Sequence, residues 1–261
     1  SVLKDASATA VYGVKGGNGV ILITTKRGKE GKAAVHVKAN ATMKVVSKLP
    51  EKYDSYDTLL LLNRTVEREL GVSPNAWGSY TPMEVIDKYR HPANTDEWDR
   101  YPNVDWQKEL FNNTAMSYNA SADVSGGTQF VKYFAAVDFA HEGDLFKTFT
   151  NDRGYNSGFS YNRLNMRANL DFNLTKTTQF SANLFGSNGV RNKPWLGTSG
   201  DINAFWGSVY KAAPDAMRPI YSDGTYGYYS PRPADCPNSV QSLARSGKQS
   251  TTNTQITTDF I

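Results

Sequence analysis

From Ala33 to Val45 the side chains alternate between two faces: Ala33, Val35, Val37, Ala39, Ala41, Met43 and Val45 on one, Ala34, His36, Lys38, Asn40, Thr42 and Lys44 on the other. A period of two places successive residues on opposite sides of a β-strand. The run covers about 13 residues, longer than the five or six of an ordinary soluble strand and long enough to cross a bilayer at a tilt, which takes about 9 to 11. The pattern returns in Met116 to Val124, Val131 to Phe139, Leu164 to Leu174 and Phe180 to Leu184, and in Ile256 and Phe260 near the end.

The connections between these segments alternate in length. About 70 residues follow the first segment, then Gly126-Gly127 reads as a two-residue hairpin turn. About 20 residues follow the third segment, Thr175 to Thr177 joins the fourth to the fifth, and about 60 residues precede the sixth. A membrane barrel of the bacterial outer-membrane type has this rhythm, with short turns on one side and long external loops on the other. A compact soluble domain has no use for structureless connections of that length. The fold class expected is therefore a transmembrane antiparallel β-barrel, with external loops 46–114, 140–158 and 190–248 in a barrel region 33–261.

Energetics assign the faces. An arginine or lysine on the lipid side at mid-membrane costs about 2 to 4 kcal/mol. Lys38, Arg163, Arg167 and Asp171 must then point into a wet or protein-filled lumen, and the apolar rows toward lipid. A soluble sandwich would give the same alternation, with its apolar faces packed on each other. Six strands do not close a large barrel, so this stretch by itself has open edges and an aggregation-prone apolar side.

The rest of the composition is chiefly useful for exclusion. No apolar run reaches the roughly 18 to 20 residues of a membrane helix; the longest is Leu59 to Leu62. A net charge of +4, without any run of like charges, gives no basis for nucleic-acid binding. The single cysteine, Cys236, forbids an internal disulfide, and His36, His91 and His141 have no metal-ligand spacing. No metal and no cofactor is expected. His36, on the lumen face, is expected to hydrogen-bond whatever fills the lumen.

Before Ala33, residues Ser1 to Tyr12 carry a helical spacing in Val2, Leu3, Ala6 and Ala10. Gly13, Gly16, Gly17 and Gly19 break it, Val20 to Thr25 reads as a short buried strand, and Lys26 to Lys32 as a linker. The glycine cluster fits neither phosphate-loop pattern and leads into a strand, so tight turns are its expected role. Helical patterns within the long connections cover Tyr56 to Leu70, Pro82 to Tyr89, Asp105 to Phe111 and Asp201 to Ala212.

No catalytic constellation is legible, and no enzyme is expected. The carboxylates Asp96, Glu97 and Asp99 beside Trp98 and Arg100 are separable in principle into a glycosidase pair, but a solvated loop accounts for them. Aromatic residues concentrate in the last long connection. Among them Trp195, Trp206, Tyr226, Tyr228 and Tyr229 are the candidate ligand-binding residues, because Trp and Tyr faces stack on sugar rings while their polar tips hydrogen-bond. Packing of the loop on itself, or a membrane-interface belt, is the competing role.

The run Ser1-Val2-Leu3-Lys4-Asp5-Ala6-Ser7-Ala8-Thr9-Ala10-Val11-Tyr12-Gly13, continued by Gly16-Gly17-Asn18-Gly19 and Val20 to Gly28, resembles the plug signature of SusC/RagA-type TonB-dependent transporters of Bacteroidota. Asp105 to Phe111 and Ser121 to Gly127 are similar to the stretch leading into that family's second barrel strand and first short turn. The resemblance covers most of Ser1 to Phe185 and fades in Arg191 to Lys248. It implies that residues 1–32 are the C-terminal part of an α+β plug domain and linker, with Lys4, Asp5, Tyr12, Gly13, Gly17 and Gly19 as structural motif positions. The start and end of the chain then read as cuts through a longer protein. The resemblance further implies a plugged barrel of about 22 strands in the outer membrane, in contact with its lipid and partnered by a SusD-like surface lipoprotein. The TonB–ExbB–ExbD complex would drive active import of oligosaccharides, or alternatively peptides. A passive outer-membrane channel and a soluble carbohydrate-binding β protein are the expectations of another class.

Overall fold

The computed structural model describes residues 2–3, 11, 13, 19–22, 24–69, 71–150, 153–196, 207, 210–228 and 238–261. Its main feature is a six-stranded antiparallel sheet in sequential order: β3 (Gly31–Val45), β4 (Thr114–Gly127), β5 (Val131–Gly143), β6 (Ser160–Asn173), β7 (Gln179–Trp195) and β8 (Gly247–Phe260). Each strand pairs with its chain neighbour, so β3 and β8 are open edges. A separate two-stranded pairing joins β1 (Val2–Leu3) to β2 (Val20–Ile21).

The register converts the alternation of the sequence into two chemically distinct faces. One row runs Val37, Ala122, Val137, Met166, Gly186, Ile256 across all the strands of the sheet. The next row runs Lys38, Ser121, Asp138, Asn165, Ser187, Gln255. The apolar face is not covered: Val37 is 77% exposed, Met166 54% and Ile256 76%. The arrangement is therefore not a sandwich whose apolar faces meet. Phe130, Phe172, Phe180 and Phe260 form a chain of rings 6.2 Å apart at the short-turn end of this face. Tyr118 stacks on His141 at 4.7 Å toward the other end.

The polar face is tied internally by hydrogen bonds. Asp138 accepts from Asn119 at 2.7 Å and from Asn165 at 3.0 Å, and Ser187 donates to Asn165 at 2.8 Å. His36 bonds Asp123 on the adjacent strand at 3.1 Å, so its partner is the sheet itself rather than a lumen filler. The segment before β3 lies on this face. Asn169 donates to the Lys26 carbonyl at 2.7 Å, and Arg27 pairs with Asp171 at 2.6 Å. Gly28 sits so close to β5 that a Cβ would meet the Tyr133 backbone at 2.4 Å, so only glycine fits there.

Several local expectations need correction. Val2 and Leu3 are strand residues paired with Ile21 and Val20, not the start of a helix, while Ala6 and Ala10 lie outside the described residues. The second short strand ends at Ile21, which is 72% exposed rather than buried, because only a two-residue pairing holds it. Gly126 and Gly127 belong to β4, opposite Tyr133 and Lys132. The turn is 128–130, where the Thr128 hydroxyl accepts from the N–H groups of Phe130 and Val131 at 3.2 Å each. A hydroxyl-capped turn competes with a diglycine turn, and here the ladder continues through both glycines.

The strand ends also run further than the alternation. β5 continues to Gly143 and β7 to Trp195, while β8 begins at Gly247. His141, Asn162, Asn188 and Asn192 occupy the apolar-parity rows there, so the hydropathy contrast vanishes although backbone pairing persists. Near the other end, β3 begins at Gly31, with irregular pairing between Gly31 and Ala34.

The long connections hold α1 (Ser55–Glu69), a 3-10 helix (Pro74–Ser79), α2 (Met83–Arg90), α3 (Thr95–Arg100), α4 (Trp106–Leu110) and α5 (Ser239–Arg245). None of the described helices is long and apolar enough to cross a membrane. α1, α2 and α4 fall where the helical spacing placed them. Of the Asp201 to Ala212 helix, only Gly207, Tyr210 and Lys211 are described as helical. The carboxylate cluster Asp96, Glu97, Asp99 forms α3 rather than a loop. Asn94 caps it by accepting from Glu97 N at 2.9 Å, a spacing that marks helix starts. Asn238 caps α5 in the same way, accepting from Gln241 N at 3.1 Å.

Candidate functional site

All three long connections leave the same end of the sheet, and they pack there on one another. Val104, Trp106, Leu110 and Phe111 from the first, Phe146 from the second, and Ala212, Met217, Val240 and Leu243 from the third form one buried cluster. Trp106 is its centre, 1% exposed, with its ring N–H donating to the Ala213 carbonyl at 3.0 Å. Burying a tryptophan with its donor satisfied contributes several times the energy of a surface contact. A second cluster of Leu59, Ile86 and Tyr89 joins α1 to α2.

Polar contacts fasten the rim of this unit. Lys88 and Glu97 meet at 2.7 Å, and Arg90 and Asp54 at 2.9 Å. The Lys88 ammonium and the Ala93 N–H hold the Glu97 carboxyl below its ordinary pKa. For Asp54, burial pushes the pKa up, but the Asp57 N–H and Arg90 outweigh it and the net direction is down. The guanidinium of Arg218 stacks 3.3 Å over the Trp98 ring and donates to the Trp98 carbonyl at 2.6 Å. Burial lowers the Arg218 pKa. Asp99 next door accepts from the backbone and hydroxyl of Ser222 at 3.0 and 2.5 Å. α3 thereby clasps the third connection.

The aromatic candidates are distributed across this unit. Trp195 ends β7, 47% exposed and against Gly247. Tyr226 packs on the shared cluster, with the Arg245 guanidinium 5.5 Å from its ring centre. Tyr228, two residues on, is 87% exposed. Trp206 and Tyr229 lie outside the described residues. The Trp98–Arg218 pair was not legible as a site, because its members are 120 residues apart. Among the N-terminal motif positions, Gly13 and Gly19 have φ values of 65° and 96°, in the region that favours glycine. Lys4, Asp5, Tyr12 and Gly17 lie outside the described residues.

No family model matches the chain. It is 29% identical to TonB-dependent receptor P3 of Formosa agariphila over 231 residues, 86% of this chain and 19% of that receptor. It is also 29% identical to TonB-dependent receptor SusC of Bacteroides thetaiotaomicron, over 85% of this chain and 18% of SusC. The fold resembles the RagAB peptide importer in its closed-closed state, with a TM-score of 0.58, 22% identity, and coverage of 88% of this chain and 26% of that one. The chain is similar to transporters of the SusC/RagA type. It spans about a fifth of the length of the curated relatives it matches. The open-open RagAB structure matches 73% of this chain at a TM-score of 0.53 and 23% identity.

Proposed function

We propose that this SusC/RagA-type chain supplies the end of a plug domain, residues 1–32, and the first six strands of an outer-membrane barrel wall, residues 33–261. The observation that carries this reading is the asymmetry of the sheet. Its apolar rows are exposed, while its polar rows receive the preceding segment through Arg27–Asp171 and Asn169–Lys26. Lipid on one side and a plug on the other satisfy both faces at once, since exposed apolar bands of this size need a partner in water.

The parent protein then imports oligosaccharides actively across the bacterial outer membrane. A SusD-like surface lipoprotein captures ligand together with the packed long connections, and the TonB–ExbB–ExbD complex remodels the plug. Trp195 and Tyr228, exposed at the loop end, contact ligand in this reading, and Tyr226 braces the loop core; Trp206 and Tyr229 are retained as candidate ligand contacts on their chemistry alone. Peptide import is the second reading, favoured by the likeness of the fold to the RagAB peptide importer.

Uptake of labelled oligosaccharides and of labelled peptides by cells making the parent protein, with and without a functional TonB, tests these readings. Oligosaccharide uptake that disappears with TonB is expected. Uptake unchanged without TonB points to a passive channel and overturns active import, and TonB-dependent uptake of peptides alone selects the second reading.

A further inference from the structure

We propose that a cleft at the base of the first long connection is a subsite for a neutral oligosaccharide, a site apart from the aromatic residues of the third connection. This deepens, and rests on, the oligosaccharide reading above. The cleft holds about 450 Å³ and is open to solvent on one side, within the roughly 300 to 1,000 Å³ of small-ligand sites. One wall is 49–54, where the chain leaves β3; the other is 103–107, at the start of α4; Pro214 of the third connection closes the back.

The walls are held by the chain itself. Along 102–106 burial alternates: Pro102, Val104 and Trp106 are buried, while Asn103 and Asp105 are exposed at the cleft. Val104 N donates to the Pro214 carbonyl at 3.0 Å, fixing the 103–107 wall to the back of the cleft. Gln107 donates to the Pro50 carbonyl at 2.9 Å, and Lys52 to the Ala212 carbonyl at 3.2 Å, fixing the opposite wall. Asn103 accepts from Ser55 N at 3.1 Å. A site whose polar groups are already oriented loses little entropy when a ligand arrives.

The chemistry of the lining selects the ligand. Tyr53 presents a ring that is 68% exposed at the cleft, a flat apolar surface with a hydroxyl at its edge. Around it stand planar amide and carboxylate groups, which match the vicinal hydroxyls of a sugar. The charges are already balanced. Asp54 is paired with Arg90 at 2.9 Å and Asp105 with Lys108 at 3.2 Å, while Glu51 and Lys52 carry opposite signs side by side. A charged peptide terminus gains little from such a lining, whereas an uncharged polyhydroxyl chain uses both the ring and the acceptors.

The test is calorimetric titration of the full-length transporter in detergent with maltohexaose, xylohexaose, cellohexaose and mannohexaose, and with mixed-sequence hexapeptides. At least one neutral hexasaccharide is expected to bind. Tyr53→Ala should weaken that binding about tenfold and Tyr53→Phe should nearly retain it, as expected for a ring contact. Because Tyr53 is exposed, the fold is expected to survive, and an unchanged melting temperature checks this. Binding that is indifferent to Tyr53→Ala, binding only of peptides, or no binding by any of the four glycans overturns the subsite. TonB-dependent oligosaccharide uptake that persists unchanged in the Tyr53→Ala strain removes the subsite and leaves the import reading standing. Loss of that uptake from the wild type removes the import reading itself.

Discussion

The Arg27 guanidinium donates to Asp171 at 2.6 Å, linking the segment before β3 to the polar face of β6, 144 residues further along the chain. The Asp171 side chain is 8% exposed and also accepts from Ser181 at 2.6 Å. Removing one partner of such a pair leaves a poorly hydrated carboxylate. Breaking a fully buried pair costs about 3 to 5 kcal/mol, but Arg27 is 38% exposed and water can replace part of it. Arg27→Ala in the full-length transporter is therefore expected to cost about 1 to 3 kcal/mol. A lowered unfolding temperature in detergent, partly recovered by Asp171→Asn in the same chain, is the outcome that checks it.

The two faces of β5 and β8 should respond oppositely to added charge. Val137→Arg, in the middle of the apolar band, is expected to cost about 2 to 4 kcal/mol if that band meets lipid. Gln255→Arg, on the polar face beside Ser187, should be tolerated. Yield of heat-modifiable protein in the outer-membrane fraction reads the difference. Equal yields of the two variants would contradict the lipid-facing assignment.

Trp106 is expected to control the loop unit without controlling the sheet. Trp106→Ala removes a side chain buried to 1% exposure and strands the Ala213 carbonyl; such truncations cost about 3 to 5 kcal/mol. Limited proteolysis should then cut within 196–246 and 144–159, while the strands remain protected. Unchanged loop resistance would mean that the shared cluster does not hold the connections together.

The α1–α2–α3 region should loosen in acid. Hydrogen bonds and neighbouring cations depress the pKa of Asp54 and Glu97 on folding. A depressed carboxyl adds stability that is fully present above its unfolded pKa, about 4, and is lost as pH falls through the lower folded value. Hydrogen exchange across 54–101 is expected to be the same at pH 7 and pH 5 and to accelerate near pH 3. The double variant Asp54→Asn, Glu97→Gln should flatten this dependence; an unaltered acid response would assign it to other groups.

Alternation in the sequence was enough to place the long strands and their faces, because a strand's side-chain period is fixed by backbone geometry and does not depend on what packs around it. Val37 and Lys38 could be assigned to opposite faces without any knowledge of their neighbours. The helices α1, α2 and α4 were likewise visible in local spacing, whereas α3 and α5, capped by Asn94 and Asn238, were not read from the sequence. The turn at Thr128 was obscured by a more conspicuous diglycine, and the outer ends of the strands by their loss of hydropathy contrast.

Which distant residues meet was left to the tertiary structure. Trp106 finding Ala213, Arg218 finding Trp98, Arg27 finding Asp171, and the cleft between 49–54 and 103–107 all join segments whose separation carries no local signature. A loop aromatic such as Tyr226 reads the same in sequence whether it packs on a core or faces a ligand, since both roles use the same apolar ring. Only the folded chain, by deciding which surfaces are left over after the connections bury their own side chains, separates the two.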